Sequence, residues 1–231
     1  MTEEMRAAEG LVRELAPKGL EVPIPEPLAI DESSWFLTAV DKGLIEFSSC
    51  NGGCECARRD QIPRRDHFET DKHDPHHLFD GVDAPLTLRR SYLPCIAAYA
   101  RAVLELGYDA DHASLFRQHQ VGTRFANART NATAQSEADF AAPNGVVHLQ
   151  IVSSSDRQTT RKLATALDAC GSFSALPDGV ARVVKNVIVL RPRHVWVVGP
   201  NSVEPSGHVF SVCVDDDDAL FRRINEVPSP V

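Results

Sequence analysis

The chain has 231 residues, with 24 lysines and arginines against 32 aspartates and glutamates, which gives a formal net charge of −8. Hydrophobic residues make up 43% and charged residues 24%, a balance that is ordinary for a globular protein and excludes wholesale disorder. No apolar run approaches the roughly 18–20 residues that cross a membrane, so we expect no membrane partner.

The first 46 residues carry a net charge of −6 and predict an acidic N-terminal extension. Its glutamates, from Glu3 to Glu14, do not fit the basic and then apolar order of a signal peptide, so a cytoplasmic location is expected. Residues 2–15 predict a short surface helix. Four prolines in residues 17–30 predict an extended arm, and residues 33–47 fit either a helix or a strand.

Residues 47–83 are polar, with clustered cysteines and histidines and little periodicity. Thiolate and imidazole are the ligands that Zn²⁺ prefers, and a bound ion would order this stretch. We therefore predict a zinc site at Cys50, Cys54, Cys56 and His67. The alternative is a histidine-rich surface loop with exposed thiols, because the cysteine spacing departs from the usual zinc templates.

Residues 84–214 predict an α/β core, since helical and strand periodicities alternate along them. A helix is expected over 92–106, ending before Gly107, followed by an ambiguous segment over 111–128. Strands are expected over 135–140 and 146–153. A capping box of Ser155 and Gln158 predicts the start of a helix that ends at Gly171.

Three further elements are predicted toward the end of the chain. They are a helix or strand over 180–190, a strand over 194–198 and a last strand over 208–214. Four consecutive aspartates then begin an acidic, proline-containing tail over 215–231, which we expect to be frayed. The predicted fold class is α/β, with a mixed sheet flanked by helices.

This order of a helix, a β-meander, a helix and a further strand resembles the core of the PD-(D/E)xK nuclease superfamily over about residues 90–200. In that family an aspartate near the end of the second strand and an acidic residue on the third hold Mg²⁺. A lysine two residues further along the third strand assists the attacking water. Alternation along a strand puts the two third-strand groups on one face.

The resemblance implies specific catalytic residues in this chain. Asp139, which precedes the Pro143-Asn144-Gly145 turn, matches the second-strand aspartate, and Gln150 matches the third-strand metal ligand. Branches of the family carry glutamine there. The third-strand pair is Gln150 and Val152 or, one step later, Val152 and Ser154, so the lysine is missing in either register. Lys162 on the next helix is the candidate replacement, with Arg157 and Arg161 as alternatives. The resemblance therefore implies a nuclease-like fold with a degenerate catalytic face.

Basic residues concentrate after the predicted central strand, where residues 155–200 have a net charge of +4. A phosphate-facing surface would use Arg157, Arg161, Arg182 and Lys185. The alternative is that these side chains form the solvated faces of two amphipathic helices. The net negative charge disfavours sequence-blind nucleic-acid binding, but the acidity lies at the two ends and residues 47–200 sum to +2.

Together these features predict a nuclease-like DNA-binding protein, dependent on Mg²⁺ if it is active. The alternative is a non-catalytic regulatory or partner-binding protein whose Cys/His loop holds zinc.

Overall fold

The computed structural model describes residues 1–16, 22–48, 67–69, 75–80, 87–110, 113–115, 120–121, 124–125, 132–135, 147–215 and 218–230. The helices in these ranges are α1 (Glu3–Leu15), α2 (Ile30–Asp41), α3 (Tyr92–Leu104), α4 (Arg157–Cys170) and α5 (Asp178–Leu190). None of them is both long and apolar enough to cross a membrane.

The strands in the same ranges are β1 (Phe47–Ser48), β2 (His67–Glu69), β3 (Pro75–His77), β4 (Phe79–Asp80), β5 (Thr87–Leu88), β6 (Ala113–Leu115), β7 (Gln120–Val121), β8 (Arg124–Phe125), β9 (Ala132–Gln135), β10 (Val147–Ser153), β11 (His194–Val198), β12 (His208–Asp215) and β13 (Asp218–Ile224). Six of them form one sheet in the order β13-β12-β11-β10-β9-β6. The others pair in small ladders, β1-β2-β3, β4-β5 and β7-β8.

The large sheet is mixed, because β10 and β11 run parallel whereas its other neighbouring strands are antiparallel. Helices cover both of its faces. The first face packs with α1, α2 and α3, and the second packs with α4 and α5. The predicted α/β class, a mixed sheet flanked by helices, is confirmed.

Strand β10 lies between these two layers, and all seven of its residues are buried. Leu149 and Ile151 belong to the first cluster, and Val152 belongs to the second. Strand β11 pairs in parallel with β10 and is likewise buried on both faces. Trp196 of β11 packs in the first cluster, and Val195 packs in the second. The strand predicted over 146–153 is thus confirmed. Its apolar residues are accompanied by the polar residues His148, Gln150 and Ser153, which are buried as well.

The two N-terminal helices bury their apolar side chains in the first cluster. The helix predicted over residues 2–15 is confirmed as α1, with Ala8 and Val12 fully buried. For residues 33–47 the structure favours the helical alternative, because α2 buries Phe36 and the short strand β1 follows it. The helix predicted over residues 92–106 is confirmed as α3. Helix α2 packs against it.

A buried ion pair joins α2 to the chain just before α3. Arg90 and Glu32 are 2% and 0% exposed, and the guanidinium binds both carboxylate oxygens, with Nη2 at 2.8 Å from Oε2. Arg90 Nε also donates to the carbonyl oxygen of Glu26 at 3.3 Å, which ties down the proline-rich segment. Burial raises the pKa of the Glu32 carboxyl, and the bonds from Arg90 oppose that rise.

The N-terminus of α4 differs from the predicted capping box. The N-cap is Asp156 rather than Ser155, with its Oδ1 accepting the backbone N–H of Thr159 at 2.7 Å. Its Oδ2 accepts the Thr159 hydroxyl, also at 2.7 Å. A carboxylate brings two acceptors and a negative charge to the positive end of the helix, which explains the preference. The other end closes as predicted, with Gly171 at a φ of 69°.

The prediction of a frayed tail after residue 214 is wrong, because β13 follows and pairs with β12. Ala219 and Phe221 of β13 are buried in the second cluster. Asp215 and Asp218 face each other at the end of this ladder. The aspartate run therefore connects two strands, and apolar residues beyond it complete the sheet.

Several other predicted segments are only partly described. Within 111–128 the described residues form β6, β7 and β8, which favours the strand alternative. The strand predicted over 135–140 overlaps β9 only at Gln135, and residues 136–146 lie outside the described residues. Residues 180–190 lie in helix α5, and the strand predicted over 194–198 is confirmed as β11.

Gly199 lies where the end of β11 meets the start of α4. A Cβ atom at this position would lie 1.9 Å from Thr160 Oγ1 and 2.9 Å from Ser154 Oγ. The two hydroxyls are 2.6 Å apart, and both lie within 3.2 Å of the carbonyl oxygen of Asp156. Thr160 is buried and branched at Cβ, so its side chain has little room to turn aside.

We expect Gly199→Ala to lower the free energy of unfolding by about 1–3 kcal/mol, the usual cost of overpacking. Gly10→Ala in α1 is the matched control, because no atom lies within 4 Å of its added Cβ. Alanine at that helical position should raise the free energy of unfolding by about 0.5–1 kcal/mol. Urea denaturation measures both variants, and effects of the same sign would contradict the close approach at Gly199.

We expect Arg90→Met to cost about 3–5 kcal/mol of unfolding free energy, since it leaves the Glu32 carboxylate buried without its partner. The double variant Glu32→Leu/Arg90→Met removes both charges and should recover most of that loss. A double-mutant cycle by urea denaturation measures the coupling. If the free-energy changes of the two single variants simply add up to that of the double variant, Arg90 and Glu32 do not stabilise each other.

Candidate functional site

The residues predicted for catalysis lie in different settings. Gln150 is in the middle of β10, is 1% exposed, and its Oε1 has no hydrogen-bond partner among the described residues. Lys162 is exposed on α4. Asp139 lies outside the described residues. The structure therefore does not place the Lys162 ammonium and the Gln150 amide on a common surface.

Magnesium binds charged, hard oxygen ligands, carboxylates above all. At the predicted centre the described residues supply one oxygen, the neutral amide oxygen of Gln150. In the described ranges no three His, Cys, Asp or Glu side chains form a group that could hold a metal. These residues do not by themselves fit a magnesium ion, and the site stays a prediction that depends on Asp139.

The predicted zinc ligands are likewise not tested. Cys50, Cys54 and Cys56 lie outside the described residues, whereas His67 lies in strand β2 of the small β1-β2-β3 ladder. The described cysteines lie further along the chain: Cys95 is buried in α3, Cys170 is half-buried at the end of α4, and Cys213 is exposed on β12.

The residues predicted to bind nucleic acid lie on the outer surfaces of α4 and α5. All four of them are exposed: Arg157, Arg161, Arg182 and Lys185. Arg157 Nε is 3.7 Å from Glu26 Oε2, and the two side chains are 52% and 30% exposed. Within the described ranges no ion pair involves Arg161, Arg182 or Lys185. Their charges are therefore available to an external anion.

A second set of polar side chains lies beside Arg161 and was missed by the sequence analysis. We call it the α4–β13 cluster, and it consists of Arg161, Asp168, His208 and Arg223. The Arg223 guanidinium binds the Asp168 carboxylate through Nη1 and lies 3.0 Å from His208 Nδ1 through Nη2. Helix α4 packs against β13, which brings these residues together across long chain separations.

The protonation state of His208 follows from this contact. Arginine nitrogens only donate, so His208 Nδ1 must accept, and the imidazole is neutral with its hydrogen on Nε2. Burial lowers the pKa of His208, and the charges of Arg223 and Arg161 add to that effect while Asp168 opposes it. The sequence carried one signal for this cluster, the Arg222-Arg223 pair, which the expected tail left unassigned.

The N-terminus of α4 does not itself offer an open anion site. The Asp156 carboxylate already occupies the first-turn N–H of Thr159. The pKa of Asp156 is lowered by these hydrogen bonds, those from the Thr159 side chain and backbone above all, so it stays charged near neutral pH. A carboxylate at that position repels phosphate, which leaves the side-chain cations as the phosphate-binding groups.

Two histidines and a tyrosine meet where β10 and β11 begin. The ring centroids of His148 and His194 are 5.2 Å apart, and Tyr108 Oη lies 3.0 Å from His148 Nδ1. The Tyr108 hydroxyl donates its single hydrogen to the carbonyl oxygen of Pro228 at 2.7 Å. His148 must therefore donate from Nδ1 to Tyr108.

The His194 ring interacts with the backbone of His148. His194 Nδ1 is buried and has no hydrogen-bond partner among the described residues. Burial lowers the pKa of His194, the Arg193 charge lowers it further, and the bond to His148 opposes both effects. A proton on Nδ1 would thus be placed in a poorly solvated position.

We expect acid to destabilise the protein partly through His194. A lowered pKa in the folded state means that the unfolded chain binds the proton more tightly, so the free energy of unfolding falls as the pH drops below 6.5. Urea midpoints at about pH 7.5 and about pH 5.5 measure this loss.

The variant His194→Gln keeps an N–H donor but has no titrating ring at this position. Its free energy of unfolding should therefore fall less than that of wild type over the same pH interval. His208 retains its own contribution in that variant. An equal loss in wild type and His194→Gln would show that His194 does not contribute.

Comparison with known proteins gives no assignment for this arrangement. No family model, no curated protein and no solved structure matches the chain. A functional proposal must therefore be based on the contacts and charges of the chain itself.

Proposed function

We propose that this protein binds DNA through cations on α4 and α5, on a nuclease-like core that does not cleave. The observation that carries the proposal is the set of exposed cations Arg161, Arg182 and Lys185, for which the described residues supply no ion-pair partner. Phosphate contacts made by such side chains provide most of the sequence-independent affinity for DNA.

The strand arrangement supports the nuclease-like part of this proposal. Helix α3 precedes β6, β9 and β10, which are neighbours in the sheet and pair antiparallel. Helices α4 and α5 then lead to β11, which lies parallel to β10. The resemblance implies a helix, a meander, a helix and a further strand, and this chain has that sequence of elements with a second helix, α5, before β11.

The placement of Gln150 and Lys162 supports binding rather than hydrolysis. A hydrolytic site needs charged metal ligands and a group that assists the attacking water within reach of the same phosphate. Gln150 is neutral and buried, whereas Lys162 is exposed on a helix. Magnesium-dependent cleavage through Asp139 is the alternative outcome of the experiment below.

The test is binding of a fluorescent DNA duplex at several salt concentrations. We expect affinity to fall steeply with salt, and Arg161→Glu to weaken binding and reduce the magnitude of the log–log salt slope by about 1. Arg6→Glu is the matched control, because it makes the same charge change on α1, which packs on the other face of the sheet. Binding that is absent or insensitive to salt would contradict the proposal.

The same duplex incubated with Mg²⁺ or Mn²⁺ tests the catalytic part. We expect wild type and Asp139→Ala to leave the DNA uncut. Cleavage by wild type that is lost in Asp139→Ala would instead establish an intact metal-dependent site.

A further inference from the structure

We propose that the α4–β13 cluster is a proton-linked phosphate site, at which binding of a DNA phosphate is accompanied by uptake of a proton at His208. This inference rests on the proposed function and assigns a specific contact point to it. The site uses three basic side chains from three elements: Arg161 of α4, His208 of β12 and Arg223 of β13.

The cluster has donors that remain available to an anion. Arg161 has no hydrogen bond or ion pair within the described ranges, and His208 has an N–H on Nε2 because its Nδ1 accepts from Arg223. Arg223 is exposed and divides its guanidinium between Asp168 and His208. A phosphate presents several acceptor oxygens, which can bind the His208 and Arg223 donors together while the nearby Arg161 charge adds attraction.

The added proton goes to His208 Nδ1, so the hydrogen bond from Arg223 Nη2 to Nδ1 breaks and Nη2 becomes available to the phosphate. The charges around His208 decide when this exchange is favourable. Its described charged neighbours are Arg161 and Asp168 from α4 and Arg223 from β13. The two guanidinium groups oppose a third positive charge, and Asp168 offsets only part of their effect. A bound phosphate supplies the missing negative charge, so it favours the imidazolium form, and by linkage the imidazolium form favours phosphate.

Asp168 competes with the ligand in this arrangement. Its carboxylate is bound to Arg223, so a phosphate that approaches Arg223 must either displace it or share the guanidinium. Removing the Asp168 charge should therefore strengthen anion binding, a gain that loss of folding cannot imitate. Asp41→Asn is the matched control, since Asp41 is exposed at the end of α2, away from the cluster.

The first experiment measures duplex affinity at constant salt between about pH 8 and about pH 6. Wild type should bind more tightly as the pH falls, by up to about tenfold per pH unit, the limit for uptake of one proton. His208→Gln should still bind at about pH 8 but lose most of this dependence. Asp168→Asn should bind several-fold more tightly than wild type, and Asp41→Asn should match wild type within about twofold.

The second experiment uses sulfate, whose charge is constant over this pH range, and follows the His208 ring signal by NMR. The signal is identified by its absence in His208→Gln. Sulfate should raise the pKa of His208 in wild type, and the rise should be reduced in Arg161→Gln.

The outcomes separate the two proposals. DNA binding whose pH dependence is unchanged in His208→Gln overturns the proton-linked site and leaves the proposed function standing. A sulfate-induced shift at His208 without DNA binding overturns the proposed function and supports an anion site for a free phosphate or sulfate ester. The absence of both effects overturns both, and unchanged affinity in Asp168→Asn contradicts the role given to Asp168.

Discussion

The parallel pairing of β10 with β11, covered by helices on both faces, is the constraint on which the rest of the structure depends. Every residue of β10 is buried, so its apolar side chains must meet a layer above and a layer below. Residues from the start of the chain supply the first layer, and α4 and α5 supply the second. A parallel pair also requires a long crossover, which is why α4 and α5 lie between the two strands.

This burial decides where chemistry can occur. Polar groups inside the sheet need local hydrogen-bond partners, as His148 has in Tyr108. The Gln150 amide oxygen and the Trp196 indole nitrogen are buried without a partner among the described residues. The exposed cations proposed to bind phosphate lie on the outer surface of the second layer and on the β12–β13 hairpin, whereas Gln150 lies inside the sheet. The surface proposed to bind a large anion is thus separate from β10, the buried strand on which the nuclease resemblance places the catalytic residue Gln150.

Elements with strong local patterns could be predicted from the sequence. The alternation along β10, the spacing along α3 and the glycine after α4 each report local backbone preferences. Contacts between distant residues could not: Arg90 meets Glu32 across 58 positions, and Arg223 meets Asp168 across 55. Strand β13 was missed because the preceding aspartates resembled the start of a solvated tail, although their role is to connect two paired strands.

Strand β13 also has a consequence for the behaviour of the protein at high concentration. It is the outermost strand of the sheet, and an unpaired outer strand is a template for addition of strands from other molecules. Here the carbonyl oxygen of Gly171 accepts the backbone N–H of Phe221, and Ser172 bridges to Leu220 on that same outer side. The left-handed turn that ends α4 therefore shields this border against intermolecular aggregation, a protective role distinct from its part in ending the helix.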